Sequence, residues 1–175
     1  LAAAAVASSP ILMGLGHYLT MTAFEPLLFV LLAWVRVRLA GGASPRLWIA
    51  AGAIVGVGME NKYSMALYAA TLLGGMALTR AGRGALRTRW AAAGALLAAV
   101  VAAPSLAWQA AHGLPFLELL RNGRLHKNVP FTLGGFLSAQ IVEMNPVNAV
   151  VWVPGLAALL FARRLASFRF LGAGF

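Results

Sequence analysis

Clusters of arginine cut an otherwise apolar chain into stretches of membrane-span character, and this alternation constrains the fold more than any other feature. Arg36, Arg38 and Arg46 form one cluster, Arg80, Arg83, Arg87 and Arg89 a second, and Arg163, Arg164 and Arg169 a third. Between and around them run apolar stretches at 1–16, 23–35, 47–58, 64–78, 90–111 and 147–162, with a weaker one at 131–142. Of the 175 residues, 61% are hydrophobic and 10% charged, where soluble domains hold about 45–50% and about 25%. Neither a soluble globule nor a disordered chain has this composition. At about 20 residues per transmembrane helix, the reading is an all-α membrane protein, a polytopic helix bundle forming one domain over 1–175.

The net charge is +10, which on a soluble chain would raise nucleic acid as a partner. Here the cations sit in short separators, as on the cytoplasmic loops of membrane proteins, so membrane lipids are expected as partners and nucleic acid is not. The chain opens at Leu1 inside an apolar run with no basic residues before it. A signal peptide needs that basic segment, so the expectation is a fragment that begins partway through a transmembrane helix.

The positive-inside rule puts all three arginine clusters in the cytoplasm. For the first two to share a side, residues 47–78 must cross twice, as a hairpin turning at Glu60, Asn61 and Lys62. Residues 90–111 then exit and 147–162 return. Ten of the 14 basic residues fall on the cytoplasmic side. Glu25, Glu60, Glu118 and Glu143, with Lys62, Arg121, Arg124, Lys127 and the three histidines, fall on or near the opposite face. A mixed-sign cluster there is what an extracytoplasmic site would look like. Gly52-x-x-x-Gly56 suits close helix packing. Glu118, Arg121, Asn122 and Leu125 recur at helical spacing, which predicts a short interfacial helix.

Each candidate has a plain alternative. Glu60, Lys62 and Tyr63 either mark an exposed turn or form a substrate-binding break in which Lys62 meets an anionic headgroup. Arg121, Arg124 and Lys127 either hold a lipid phosphate or form a solvated face in which Glu118 pairs with Arg121. Glu25 either lies at the extracytoplasmic edge of a site or complements a helix start ahead of Pro26. The absence of Cys removes disulfides, thiolate zinc sites and cysteine nucleophiles. His17, His112 and His126 do not space like metal ligands. No cofactor is expected, and a divalent metal stays open. Neither a phosphate-binding loop nor a nucleophile elbow is present.

Four segments, in order, carry a resemblance: Gly16 to Leu27 with His17, Thr20, Glu25 and Pro26; Gly56 to Ser64 with Glu60, Asn61, Lys62 and Tyr63; Pro104 to Gln109 with His112, Pro115, Arg121 and Asn122; and Gln140 with Asn145 and Pro146. Together they resemble bacterial family 39 glycosyltransferases, relatives of the protein O-mannosyltransferases and of the lipid A aminoarabinose transferase. The resemblance implies a GT-C bundle in a cell (inner) membrane, multi-pass, with its active face extracytoplasmic. It further implies sugar transfer, with inversion, from a polyprenyl-phosphate carrier to a lipid, glycan or protein acceptor. An acidic residue would act as base and basic residues would stabilise the departing phosphate.

In that family the catalytic carboxylate lies in the first extracytoplasmic loop, and the chain is expected to begin downstream of it. The general base is therefore unassigned, expected upstream of Leu1. Glu25 matches a nearby supporting acidic position, and Lys62 a recurrent lysine at the end of a short helix. Arg121 and Lys127 match phosphate-contacting residues more loosely. The competing readings are a transporter or flippase, whose broken helices would also explain 47–78, and a non-catalytic membrane fragment.

Overall fold

The computed structural model describes residues 2–126 and 132–173, and among these every regular element is helical. The elements are α1 (Ala2–Ala7), α2 (Pro10–His17), α3 (Met21–Ala40), α4 (Leu47–Asn61), α5 (Ser64–Ala77), α6 (Arg80–Leu86), α7 (Arg89–Ala111), α8 (Pro115–His126), α9 (Leu133–Glu143), α10 (Pro146–Phe161), a 3₁₀ segment (Arg163–Phe168) and α11 (Arg169–Ala173).

The first apolar stretch is not one helix. It breaks at Ser8-Ser9, because Pro10 cannot donate a backbone hydrogen bond and instead takes the first position of α2. The break is tied to the far end of the chain: the Asn145 side chain donates to the Ser8 carbonyl at 3.0 Å, and the Asn148 side chain to Ala5 at 2.9 Å. Asn145 itself caps α10, accepting from the Val147 N–H at 3.0 Å, at a positive φ of 72°. Asparagine tolerates that region better than most residues.

Three helices form the centre. The guanidinium of Arg36 near the end of α3 lies 4.0 Å over the Trp48 ring at the start of α4, and its Nη1 donates to the Met76 sulfur at the end of α5 at 3.2 Å. At the opposite end, the start of α3 meets the α4–α5 corner. So α4 runs against α3 and α5 against α4, the hairpin read from the charge pattern. Leu32, Val35, Trp48, Ala51, Met65, Leu72 and Met76 are buried between them.

Helix α7 lies parallel to α4. Trp48 and Gly52 approach Gly94, and Gly56 approaches Ala98 and Val101. A Cβ on Gly52 or Gly94 would overlap the facing backbone, and one on Gly56 would come within 2.7 Å of Val101 Cβ. The Gly52-x-x-x-Gly56 spacing thus lets two backbones touch. Thr88 caps α7 by accepting from the Ala91 N–H at 3.2 Å. Pro104 sits within it, removing the donor to the Val100 carbonyl.

Among the described helices, α7 alone is both long and apolar enough to cross a bilayer by itself, with 23 residues, about 34 Å at 1.5 Å per residue. Helices α9 and α10 reach that length and character together, but are bent by 113° at their break. Helix α3 has 20 residues but carries Glu25, Arg36 and Arg38. Helices α4 and α5 have 15 and 14 residues, shorter than the hydrocarbon core of about 30 Å requires.

The structure moves two charges from where the apolar pattern put them. Arg36, read as the start of a loop cluster, is buried within α3, at 2% exposure. Helix α3 continues past it to Ala40 because Val35 and Leu39 still face the core. Glu25, read as a helix start before Pro26, is the fifth residue of α3. The helix begins at Met21 because Thr20 is extended, and Pro26 is carried inside it.

Candidate functional site

Glu25 and the α4–α5 corner form one cluster. Helix α4 ends at Asn61, where Lys62 turns to an extended backbone before α5 begins at Ser64. That break leaves the Lys62 side chain free to point at α3. Its Nζ donates to Glu25 Oε2 at 2.8 Å, and the Ser64 hydroxyl donates to Glu25 Oε1. Both carboxylate oxygens are thereby held. The Asn61 side chain donates to the Met21 carbonyl at 2.7 Å, pinning the corner to the first turn of α3.

The next residue carries the cluster to α7 and α8. The Tyr63 and Ser105 hydroxyls share a hydrogen bond of 2.8 Å, and the Tyr63 ring meets Phe116 edge to face at 4.6 Å. Gln109 Oε1 accepts from the Phe116 N–H at 3.0 Å. Between α7 and α8 the chain reverses at Gly113 and Leu114, both at positive φ, 74° and 59°. Glycine takes that conformation freely and closes the helix end. A leucine there is held by its surroundings, its N–H donating to the Gln109 carbonyl at 2.8 Å. Helices α3, α7 and α8 therefore converge on the corner between α4 and α5.

The Glu25 side chain is 14% exposed and that of Lys62 38%. The acid is the more buried partner, and the Lys62 side chain keeps contact with solvent while it reaches Glu25. A charge pair in this position is stabilising only if each group keeps its partners, and Glu25 keeps two. Opening the pair would leave one cation beside one carboxylate that Ser64 still holds.

The other sequence candidates spread away from this cluster. Glu60 is exposed at the last turn of α4 and forms no ion pair among the described residues. Arg121 and Arg124 lie exposed on α8, the helix predicted from the spacing, and Glu118 is not ion-paired with Arg121. Leu117, Leu119, Leu120 and Leu125 of α8 are also exposed. Lys127 lies outside the described residues. Among the described residues no three His, Asp or Glu side chains group as a metal site would. Sequence reasoning missed Ser64, Asn61 as an anchor, and Ser105 with Gln109. All four lie in segments that carried the family resemblance, beside the Pro104 and Lys62 breaks, but nothing in the sequence singled them out as site residues.

No curated protein and no solved structure matches the chain. A family model described as dolichyl-phosphate-mannose-protein mannosyltransferase matches residues 1–108. The matched segment contains Glu25, Lys62, Tyr63, Ser64 and Ser105 and stops short of α8. It favours a transferase over a transporter. The chain belongs to the dolichyl-phosphate-mannose-protein mannosyltransferase family, whose members are membrane glycosyltransferases.

Proposed function

We propose that this protein transfers a sugar from a polyprenyl-phosphate carrier to an extracytoplasmic acceptor, and that the Lys62–Glu25 corner belongs to its site. The observation that carries this reading is the partly exposed Lys62 side chain, its Nζ paired at 2.8 Å with a more buried carboxylate at a helix break. A charged break at a span's end is tolerated mainly where it meets water or a counter-ion. The phosphate of a lipid-linked sugar is such a counter-ion.

In the proposed reaction the acceptor oxygen attacks the anomeric carbon as the bond from that carbon to the carrier phosphate breaks. The phosphate leaves with the electron pair, and Lys62 stabilises its charge by a charge-assisted hydrogen bond. The acceptor proton passes to a general base. Glu25, held by Ser64, supports that side of the site as an oriented acid. Tyr63 and Phe116 supply an aromatic wall. Arg121 and Arg124 on α8, with Lys127, form an outer basic patch for the carrier headgroup, and the α8 leucines lie in the membrane interface. The chain is read as a polytopic bundle in the cell (inner) membrane, α3, α4, α5 and α7 alternating in direction, arginine clusters cytoplasmic and Lys62 extracytoplasmic. The short α4 and α5 fit this by sitting between longer helices, where the bilayer thins or the ends lie in polar surroundings.

Glu25→Gln in the intact protein tests the assignment. With dolichyl-phosphate-mannose as donor, transfer should fall about tenfold or more at unchanged expression, since an oriented charge is replaced by an amide. Unchanged transfer would return Glu25 to a packing role.

A further inference from the structure

At the other end of the bundle a second charge is buried without a carboxylate. The Arg36 residue is 2% exposed. Its contacts are the Trp48 ring at 4.0 Å and the Met76 sulfur at 3.2 Å, while its Nε is buried with no hydrogen-bond partner. Among the described residues it has no ion pair. A sulfur and an aromatic face are weak replacements for the water lost by a guanidinium, and a buried uncompensated charge is strongly destabilising. Arg36 lacks an anion.

It also borders a space. Arg36 lines a cavity of about 590 Å³ that runs between α4 and α7, past Gly52, Ala95, Ala99 and Met59 to Leu106. Apart from Arg36 the side chains lining it are almost wholly apolar. Along α7 it extends from Ala91 to Leu106, about 22 Å at 1.5 Å per residue, more than the roughly 15 Å of one hydrocarbon leaflet. Arg46 and Arg89 lie at 5.5 Å and 5.2 Å from the ring of Trp90, the neighbour in sequence of the lining residue Ala91, and among the described residues Arg36 is the one charged residue in the lining.

We infer that this cavity holds an anionic phospholipid, its phosphate on Arg36 and one acyl chain along the alanine-lined wall of α7. A guanidinium fork matches phosphate oxygens, and basic pockets between membrane helices take anionic headgroups in this way. Free phosphate would satisfy Arg36 but leave the long apolar wall wet. The phosphate end is at the end of α3 opposite Lys62; the apolar far end, at Met59 and Leu106, adjoins the Tyr63–Ser105 corner in sequence. Assignment of the phosphate end to the cytoplasmic leaflet rests on the orientation proposed above; the binding itself does not.

The intact protein, reconstituted in mixed phosphatidylethanolamine and phosphatidylglycerol and re-extracted in mild detergent, is examined by native mass spectrometry for retained phosphatidylglycerol. Arg36→Met should lower retention about tenfold, which is about 1.4 kcal/mol, and Arg36→Lys by less. Ala95→Phe with Ala99→Phe fills the exposed wall, keeps Arg36, and should lower retention similarly while thermal unfolding stays cooperative. Lys62→Met should leave it unchanged, so failure of the donor-site reading stays distinguishable. Equal retention in Arg36→Met and the wild type overturns the proposal. So does full retention in the filled variant, or displacement of the lipid by inorganic phosphate, because either makes it an anion site without a chain. A photoreactive residue at position 99 that crosslinks to polypeptide rather than lipid also overturns it.

Discussion

Lys62 and Glu25 stand 37 positions apart in the chain, and Lys62 Nζ lies 2.8 Å from Glu25 Oε2. The pair joins the start of α3 to the corner between α4 and α5, so it serves the fold as well as the proposed chemistry. Because Lys62 is partly exposed, solvent weakens the attraction. A double-mutant cycle with Lys62→Met and Glu25→Gln should give a coupling of about 1 kcal/mol in thermal or denaturant unfolding. Additive effects would mean that the pair does not hold the corner.

Neighbouring glycines in α5 should respond in opposite directions. A Cβ on Gly75 would lie 2.7 Å from the Phe170 carbonyl oxygen of α11, whereas Gly74 has nothing within 4 Å. Gly75→Ala should destabilise by about 1–3 kcal/mol through overpacking against backbone. Gly74→Ala should stabilise by about 0.5–1 kcal/mol through reduced backbone entropy. Unfolding midpoints of the two variants decide it. The same reasoning makes Gly94→Ala more damaging than either, since its Cβ would meet the Trp48 backbone.

Tyr63 should matter through both its hydroxyl and its ring. Tyr63→Phe removes the hydrogen bond with Ser105 and keeps the edge contact with Phe116. A loss of about 0.5–1.5 kcal/mol is expected, and Ser105→Ala added to it should change stability little further. Tyr63→Ala should cost more and loosen α8, read as increased proteolysis near Gly113.

Much of this frame could be read before the structure. The run at 90–111 became α7 almost residue for residue, because an uninterrupted apolar stretch closed by Thr88 and His112 leaves few alternatives. The turn at Lys62 was visible because charge interrupts apolar sequence there. The partnership of Lys62 with Glu25 was not visible, since periodicity describes one helix at a time and the contact depends on how α3 and α5 cross. Pro26 misled the reading of Glu25: proline marks the first turn of a helix more often than its second. Arg36 was hidden for the converse reason. A charge after an apolar run reads as a loop, and only the packing of Val35 and Leu39 shows that the helix goes on.

Topology can be tested directly because the chain contains no cysteine. Single cysteines at positions 38, 83 and 164 should react with impermeant reagent only after the membrane is opened from the cytoplasmic side. Those at 60 and 121 should react in intact cells. Labelling of positions 83 and 121 from the same side would break the alternation of α3, α4, α5 and α7 across the membrane.

The role of Lys62 is tested most directly by the rate of transfer against lipid-phosphate sugar concentration, in reconstituted intact protein. A charge-assisted hydrogen bond to phosphate is worth about 1.5–3 kcal/mol, so Lys62→Met should weaken donor use roughly ten- to a hundredfold at about 1.4 kcal/mol per decade. Lys62→Arg should recover part of that, because the charge survives while its point-like geometry does not. Wild-type kinetics in Lys62→Met would contradict the phosphate role and leave Lys62 as the residue that ties a helix corner to Glu25.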